Sequence, residues 1–308
     1  MKVYIYYFTI SLMAFFNFDN HHFEGDLPRL LKFPLTMTLQ VTRRCNLKCI
    51  YCSENLKLPE PPKEDLDDII KKLKKVKRII VSGGEPLIRK DIFLILKQLK
   101  EDKHIVSLAT NATLITPKVA SKLNGLVDYV DITIDGPRNI HNLIRGSYDK
   151  ILEGIFNLKN AGVEYSFVTV LLPQNLNYLR DICQIVDVLG GKKHKILTPI
   201  PKGKGKEIYS KVKGKYPLNK IYEEIKNLKK ELGWKQRITI TDWNRIGEGH
   251  ALLIHPDGDV VESPIFSNNF GINLLGNLHK EELGSVWNKY THKREHYRKY
   301  LEKSMYVI

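Results

Sequence analysis

The chain has 308 residues, 43% of them hydrophobic, and a formal net charge of +15. That is enough apolar length to bury a sizeable core, and one large α/β domain with an appendage fits it. Four cysteines, three of them within eight residues, exclude the disulfide framework of a small secreted protein and point to a metal site in a reducing, cytoplasmic setting.

In chain order, the first candidate element is the apolar run 3–16. It has a single preceding lysine, no small-residue cleavage pattern, and fewer than the roughly 20 residues a membrane span needs. A soluble protein with an N-terminal extension over 1–34 and no membrane partner is expected; translation from Met13 is a second reading of the same stretch. From residue 35 onward, short β-branched runs alternate with helical patterns, the mark of βα units around a parallel sheet. Strands are predicted at 35–41, 78–82, 105–109, 129–134, 165–171 and 195–198, and helices at 63–76, 91–101, 117–123, 148–161 and 175–189. Six units predict an α/β fold with a partial (β/α)6 TIM-like barrel over 35–201, with functional groups at the C-terminal ends of its strands.

After residue 201 the pattern changes to the Lys/Gly stretch 202–206, a helix at 218–232, and short strands near 250–255 and 260–261. His255-Pro256-Asp257-Gly258-Asp259 between those strands has hairpin turn chemistry. Residues 202–308 are therefore expected to form a small C-terminal α+β hairpin domain. The excess charge sits largely in lysines such as Lys71, Lys72, Lys74, Lys75 and Lys77. A solvated surface like those of heat-adapted proteins explains them. An acidic partner is the sharper reading, but no aromatic-interleaved basic motif accompanies the charge, so nucleic acid is not the expected partner.

Cys45, Cys49 and Cys52 follow the first strand as Cys-Asn-Leu-Lys-Cys-Ile-Tyr-Cys. Three thiolates so close can wrap one cubane cluster and leave its fourth iron open for chemistry. Arg43, Arg44 and Lys48 are expected to favour thiolate formation there. The competing reading is a zinc site completed by a ligand from elsewhere, although zinc motifs usually come as two separated pairs. Cys183 stands alone in an apolar helical stretch and reads as a small buried hydrophobe.

With Tyr51 before the last cysteine and Ser82-Gly83-Gly84-Glu85-Pro86 ending the second strand, the chain resembles the radical S-adenosylmethionine superfamily over about 35–201. The resemblance implies one [4Fe–4S] cluster on Cys45, Cys49 and Cys52, with S-adenosylmethionine chelating the open iron. It places Tyr51 against the adenine and assigns Gly83, Gly84, Glu85 and Pro86 to the motif that receives the methionine amino group. Asn111, Thr133, Asp135 and Arg145 match segments that supply polar contacts to the cofactor, with N-cap or turn roles as the alternative for each.

The region 246–264, with 275–278 and 286–287, is similar to the twitch or SPASM-like domain of peptide and cofactor maturases. The positions where those proteins carry auxiliary-cluster cysteines are Ile246 and Ser263 here. The resemblance then implies reductive cleavage of S-adenosylmethionine to a 5′-deoxyadenosyl radical, which abstracts hydrogen from a peptide or cofactor-precursor substrate. The electron comes from a ferredoxin- or flavodoxin-like donor. No catalytic residue beyond the cluster ligands is needed, because the cofactor carries the chemistry. A non-catalytic iron–sulfur or cofactor-binding module and a basic RNA-modifying protein are the competing readings.

Overall fold

The computed structural model describes residues 2–4, 15–17, 22–24, 33–34, 36–54, 63–212, 215–241, 252–262, 273–290 and 305–308. Three short strands, β1 (Lys2–Tyr4), β2 (Phe15–Asn17) and β3 (His22–Glu24), pair antiparallel in that order. The rest of the 3–16 run lies outside the described residues. Among the described residues no helix is long and apolar enough to cross a membrane.

The main body runs β4 (Thr36–Gln40), α1 (Lys63–Lys72), β5 (Arg78–Ser82), α2 (Ile92–Glu101), β6 (Ile105–Thr110), α3 (Pro117–Leu123), β7 (Tyr129–Thr133), α4 (Arg138–Ile144), α5 (Tyr148–Asn160), β8 (Tyr165–Val170), α6 (Leu179–Val188) and β9 (Lys193–Leu197). Strands β4 to β9 lie side by side and parallel, so the six expected βα units form the expected partial barrel. The later elements are α7 (Gly205–Val212), α8 (Leu218–Leu232), β10 (Arg237–Thr241), β11 (Leu252–Ile254), β12 (Asp259–Val261), β13 (Leu274–Asn277), α9 (Leu283–Lys289) and β14 (Met305–Val307).

These later strands join the same sheet. β10 adds a seventh parallel strand beside β9, with β14 antiparallel outside it. On the other flank β11 runs parallel to β4 and leads the antiparallel hairpin β11–β12–β13. The elements expected from sequence do not include β10, α4 or α7. Arg-Ile-Thr-Ile-Thr in β10 does carry the period-2 signal of a strand. The helix expected over 175–189 begins as a 3-10 turn, Leu176–Tyr178. Asn175 is the cause: its amide group donates to Asp135 O and Val170 O, while its Oδ1 accepts from Leu172 N, and this fixes a turn before α6.

Alternation along each strand divides the two faces of the sheet. Met37 and Leu39, Val130 and Ile132, and Phe167 are fully buried in the apolar core. Their neighbours Thr38 and Gln40, Asp131 and Thr133, and Val168 and Val170 line a cavity instead. The helices supply the matching stripe: α2 buries Ile92, Ile95, Leu96 and Leu99 at i, i+3, i+4 and i+7. Each such side chain stabilises the fold by roughly 2 kcal/mol through apolar burial.

Candidate active site

A cavity of about 470 Å³ opens at the C-terminal ends of the parallel strands. The loop after β4 contributes Cys45, Cys49, Tyr51 and Cys52; β5 ends on Ser82, Gly83 and Gly84; β6 ends on Thr110 and Asn111; Thr133 and Arg145 complete this side. Nine of the twelve residues expected at a cofactor site thus face one space, and Glu85, Pro86 and Asp135 stand behind it.

Glycine at 83 and 84 is required by the chain itself. A Cβ on Gly83 would sit 2.4 Å from Thr42 O, and one on Gly84 2.2 Å from Arg44 O. The backbone of the cysteine loop is stitched to this turn, with Gly84 N donating to Thr42 O at 2.9 Å and Glu85 N to Arg44 O at 2.7 Å. Glu85 is fully buried and holds the next strand end in place. Its carboxylate accepts from Thr110 Oγ1 at 2.7 Å, Asn111 N at 2.7 Å and Leu87 N at 3.0 Å. Asn111 in turn reaches the loop, donating to Asn46 Oδ1 at 2.9 Å and approaching Cys45 Sγ at 3.9 Å.

Behind Tyr51 lies a buried polar triad. Arg145 Nη1 donates to Tyr51 Oη at 2.6 Å, and Tyr51 donates to Asp135 Oδ2 at 2.7 Å. The guanidinium also stands 5.8 Å from the Tyr51 ring centre. Burial pushes the Tyr51 phenol well up despite Arg145, so it stays a proton donor to Asp135. Burial likewise raises the Asp135 carboxyl, against the pull of Arg145. His141 accepts from Asp135 N at 3.1 Å through Nδ1, which places its own proton on Nε2. Burial and then Arg145 push its pKa down to about 3, so it is neutral.

All four cysteines are free thiols. Burial raises the pKa of Cys45 and of Cys49 above the ordinary range, and the chief opposing influence on Cys49 is Arg145. The expectation from sequence gives that role to Arg43, Arg44 and Lys48. Desolvation is the largest influence on both thiols, and the cation that opposes it at Cys49 is Arg145, 94 residues beyond Tyr51 along the chain.

The residues fit an iron–sulfur cluster with its co-ligand. Three thiols of one loop line one cavity, and among the described residues no three His, Cys, Asp or Glu side chains converge on a single metal position. Three thiolates from one loop are the donor set of a cubane cluster with one open iron, whereas structural zinc sites take four ligands. Arg145 Nε is buried without a hydrogen-bond acceptor, a donor that a carboxylate of the co-ligand would satisfy. Cys183 is fully buried with its thiol pushed up to about 12 by burial, as expected of a packing residue.

Residues 39–186 match the sequence profile of the Radical SAM superfamily. The chain carries a radical SAM domain. The family's cofactors are a [4Fe–4S] cluster and S-adenosylmethionine. An uncharacterized protein of Methanocaldococcus jannaschii is 29% identical over 84% of this chain and 95% of its own length. Pre-heme d1 synthase of Dinoroseobacter shibae is 31% identical over 54% of this chain and 43% of its own. Mycofactocin maturase of Mycolicibacterium smegmatis is 30% identical over 59% and 48%. The chain thus spans about half the length of these two enzymes.

The fold is that of SuiB from Streptococcus suis bound to S-adenosylmethionine, with a TM-score of 0.68 at 17% identity over 87% of this chain and 68% of that one. It is also that of anSMEcpe with bound AdoMet, with a TM-score of 0.62 at 18% identity over 88% and 84%.

Several cavity residues are not among those expected from sequence. Gln40, Glu54, Lys202 and Asp131 also line the space. Asp131 Oδ1 and Oδ2 take Lys195 Nζ at 2.9 and 3.0 Å, and Ser166 Oγ donates to Oδ1 as well. Alternation from Thr133 back along β7 marks Asp131 as facing the same way, so that signal is present in the sequence. Lys202 and Glu54 come together only through tertiary folding. Ile246, Gly247, Glu248, Gly249, Ser263 and Pro264, the matches to an auxiliary-cluster domain, lie outside the described residues.

Proposed function

We propose that this radical SAM domain works as an enzyme that cleaves S-adenosylmethionine reductively and removes hydrogen from a peptide or cofactor-precursor substrate. The observation that supports it most is the meeting of Cys45, Cys49 and Cys52 with Gly83, Gly84, Asn111, Thr133 and Arg145 around one cavity. When bound, the cluster and its co-ligand supply the electron and the carbon radical, and the protein supplies geometry and shelter.

Each residue then has a task. Cys45, Cys49 and Cys52 are the metal ligands. Gly83 and Gly84 keep the loop backbone close, and Glu85 and Pro86 shape the turn that presents it. Arg145 holds a carboxylate with its unused Nε, kept in place by Tyr51 and, through it, by Asp135. Asn111 and Thr133 face the space the nucleoside would fill. The apolar wall of Val168, Val170 and Leu197 keeps water from the reacting carbon.

An electron donor of the ferredoxin or flavodoxin type is part of this reading, supported by the exposed Arg44 and Lys48 beside the cluster loop. The relatives named as a heme-pathway synthase and a mycofactocin maturase are what support a cofactor-precursor or peptide substrate. A cytoplasmic location follows from the need to keep such a cluster reduced.

The test is anaerobic reconstitution with iron and sulfide, followed by measurement of 5′-deoxyadenosine under dithionite. Product in the wild type that disappears in Cys49→Ala is the expected result. Full iron loading with no product in any reductant would make the domain a binding module instead.

A further inference from the structure

The cavity has a second set of polar residues, Glu54 and Lys202, that the roles above leave unused. There the segment after β9 lies against the cysteine loop, with Lys204 N donating to Cys52 O, and Lys202 Nζ meets Glu54 Oε1 at 3.3 Å with both side chains almost buried, 13% and 14% exposed. Glu54 is amply supplied: Ser53 Oγ donates to it at 2.9 Å and Gln40 bonds to it as well. The Lys202 ammonium has three N–H donors, and its single hydrogen bond among the described residues is the long one to Glu54. The spare capacity of this pair is thus a cationic donor facing the cavity. The same lining is mostly apolar beyond Ser53, Gln40 and Thr198, with Leu197, Pro199, Ile200, Leu252 and Leu253.

A nearly buried ammonium with unused donors beside apolar walls selects an anion carried on an apolar body. A phosphate would call for a fork of donors or several cations, and Lys202 is one compact charge already shared with Glu54. We propose that Lys202 anchors a carboxylate of the substrate, which makes the molecule acted on an organic acid with an apolar body. This rests on reading the cavity as the seat of the radical reaction. It adds the substrate's charge and the residue that holds it.

Naphthylacetate and its neutral isostere naphthylacetamide probe the site by fluorescence titration of the reconstituted protein, without turnover. A charge-assisted hydrogen bond predicts that the acid binds about tenfold more tightly than the amide. Lys202→Gln should abolish that preference and Lys202→Arg should keep it. Glu54→Gln, which removes the competing anion, should tighten binding of the acid alone, and it provides a second arm if Lys202→Gln does not fold. No difference between acid and amide in the wild type, whether both bind or neither does, overturns the proposal, and so does a preference that survives Lys202→Gln. Because no S-adenosylmethionine is consumed, failure here is separable from failure to form 5′-deoxyadenosine.

Discussion

Replacing Gly84 by alanine tests whether the glycine turn exists to hold the cysteine loop. The new Cβ would lie 2.2 Å from Arg44 O, 2.6 Å from Arg44 C and 2.8 Å from Arg43 O. All three are backbone atoms, so no side chain can swing aside. To regain a 3.0 Å approach the loop must recede by about 0.8 Å. That stretches the 2.7 Å bond from Glu85 N to Arg44 O to the edge of hydrogen bonding and strains the Gly84 N bond to Thr42 O.

Losing one such bond costs about 1 kcal/mol and overpacking a fixed contact another 1–3 kcal/mol, so a total of roughly 2–4 kcal/mol is expected. The displaced segment is the one that carries Cys45, so iron uptake should fall with stability. Urea unfolding of the iron-free protein reads the first effect, and iron and sulfide content after reconstitution reads the second. Gly284→Ala is the internal control. That glycine lies in α9, and a methyl group there would meet only a Phe33 ring carbon, at 3.8 Å, so alanine should be neutral or stabilise by up to about 1 kcal/mol. Wild-type stability and full iron loading in Gly84→Ala would refute the argument.

Cys183→Ala should leave iron content unchanged, whereas Cys45→Ser, Cys49→Ser or Cys52→Ser each lowers it, as iron analysis after reconstitution will show. Tyr51→Phe strips the hydroxyl between Arg145 and the fully buried Asp135; a loss of about 2 kcal/mol in urea unfolding is expected for a buried carboxylate deprived of a donor. Burial pushes the Asp131 carboxyl up, but Lys195, Ser166 and Arg78 together outweigh it and hold the group below the usual 3.8. Its contribution to stability is therefore complete above pH 3.8 and fades as the pH falls below that value. Asp131→Asn should cost about 3 kcal/mol at neutral pH by leaving Lys195 uncompensated, and should flatten the acid limb of the stability curve. Asp257→Asn breaks the 2.8 Å bridge to Arg43, but Asp257 is half exposed, so a change below about 1 kcal/mol is expected.

The parts of the fold legible in the sequence are those fixed by local pattern. Strands such as Arg78–Ser82 and helices such as Pro117–Leu123 have the bounds expected of them, because β-branched runs and the Thr116-Pro117 cap are local signals. The cysteine triplet is legible for the same reason, since loop spacing alone brings its thiols to one rim. Glu85 reads as a cofactor contact because its sequence position adjoins the glycines. Its actual partners, Thr110 and Asn111, lie a βα unit away, and no spacing rule reveals them. Arg145 is reached only through resemblance, and its pairing with Tyr51 and Asp135 spans three separate segments.

The last third of the chain shows why a partial barrel need not leave its mouth open. Among the described strands the sheet has two free edges, at β13 and β14, so backbone pairing does not close the ring. Closure at the mouth comes from the loop after β9. Lys204 N donates to Cys52 O at 2.9 Å, and Gly203, at φ +56, lies so close that a Cβ would stand 2.6 Å from the same oxygen. From the other flank the hairpin β11–β12 reaches the same region, with His255 Nδ1 2.8 Å from Gln40 Oε1 and Asp257 bridged to Arg43. The third cysteine is thus braced by a loop about 150 positions later, and Gln40 and Arg43 before it by a hairpin more than 200 positions later. A chain truncated after the six βα units would keep all three thiols and lose the contacts that hold the last of them, together with Lys202 and the apolar wall of Leu252 and Leu253 that shelter the reacting space.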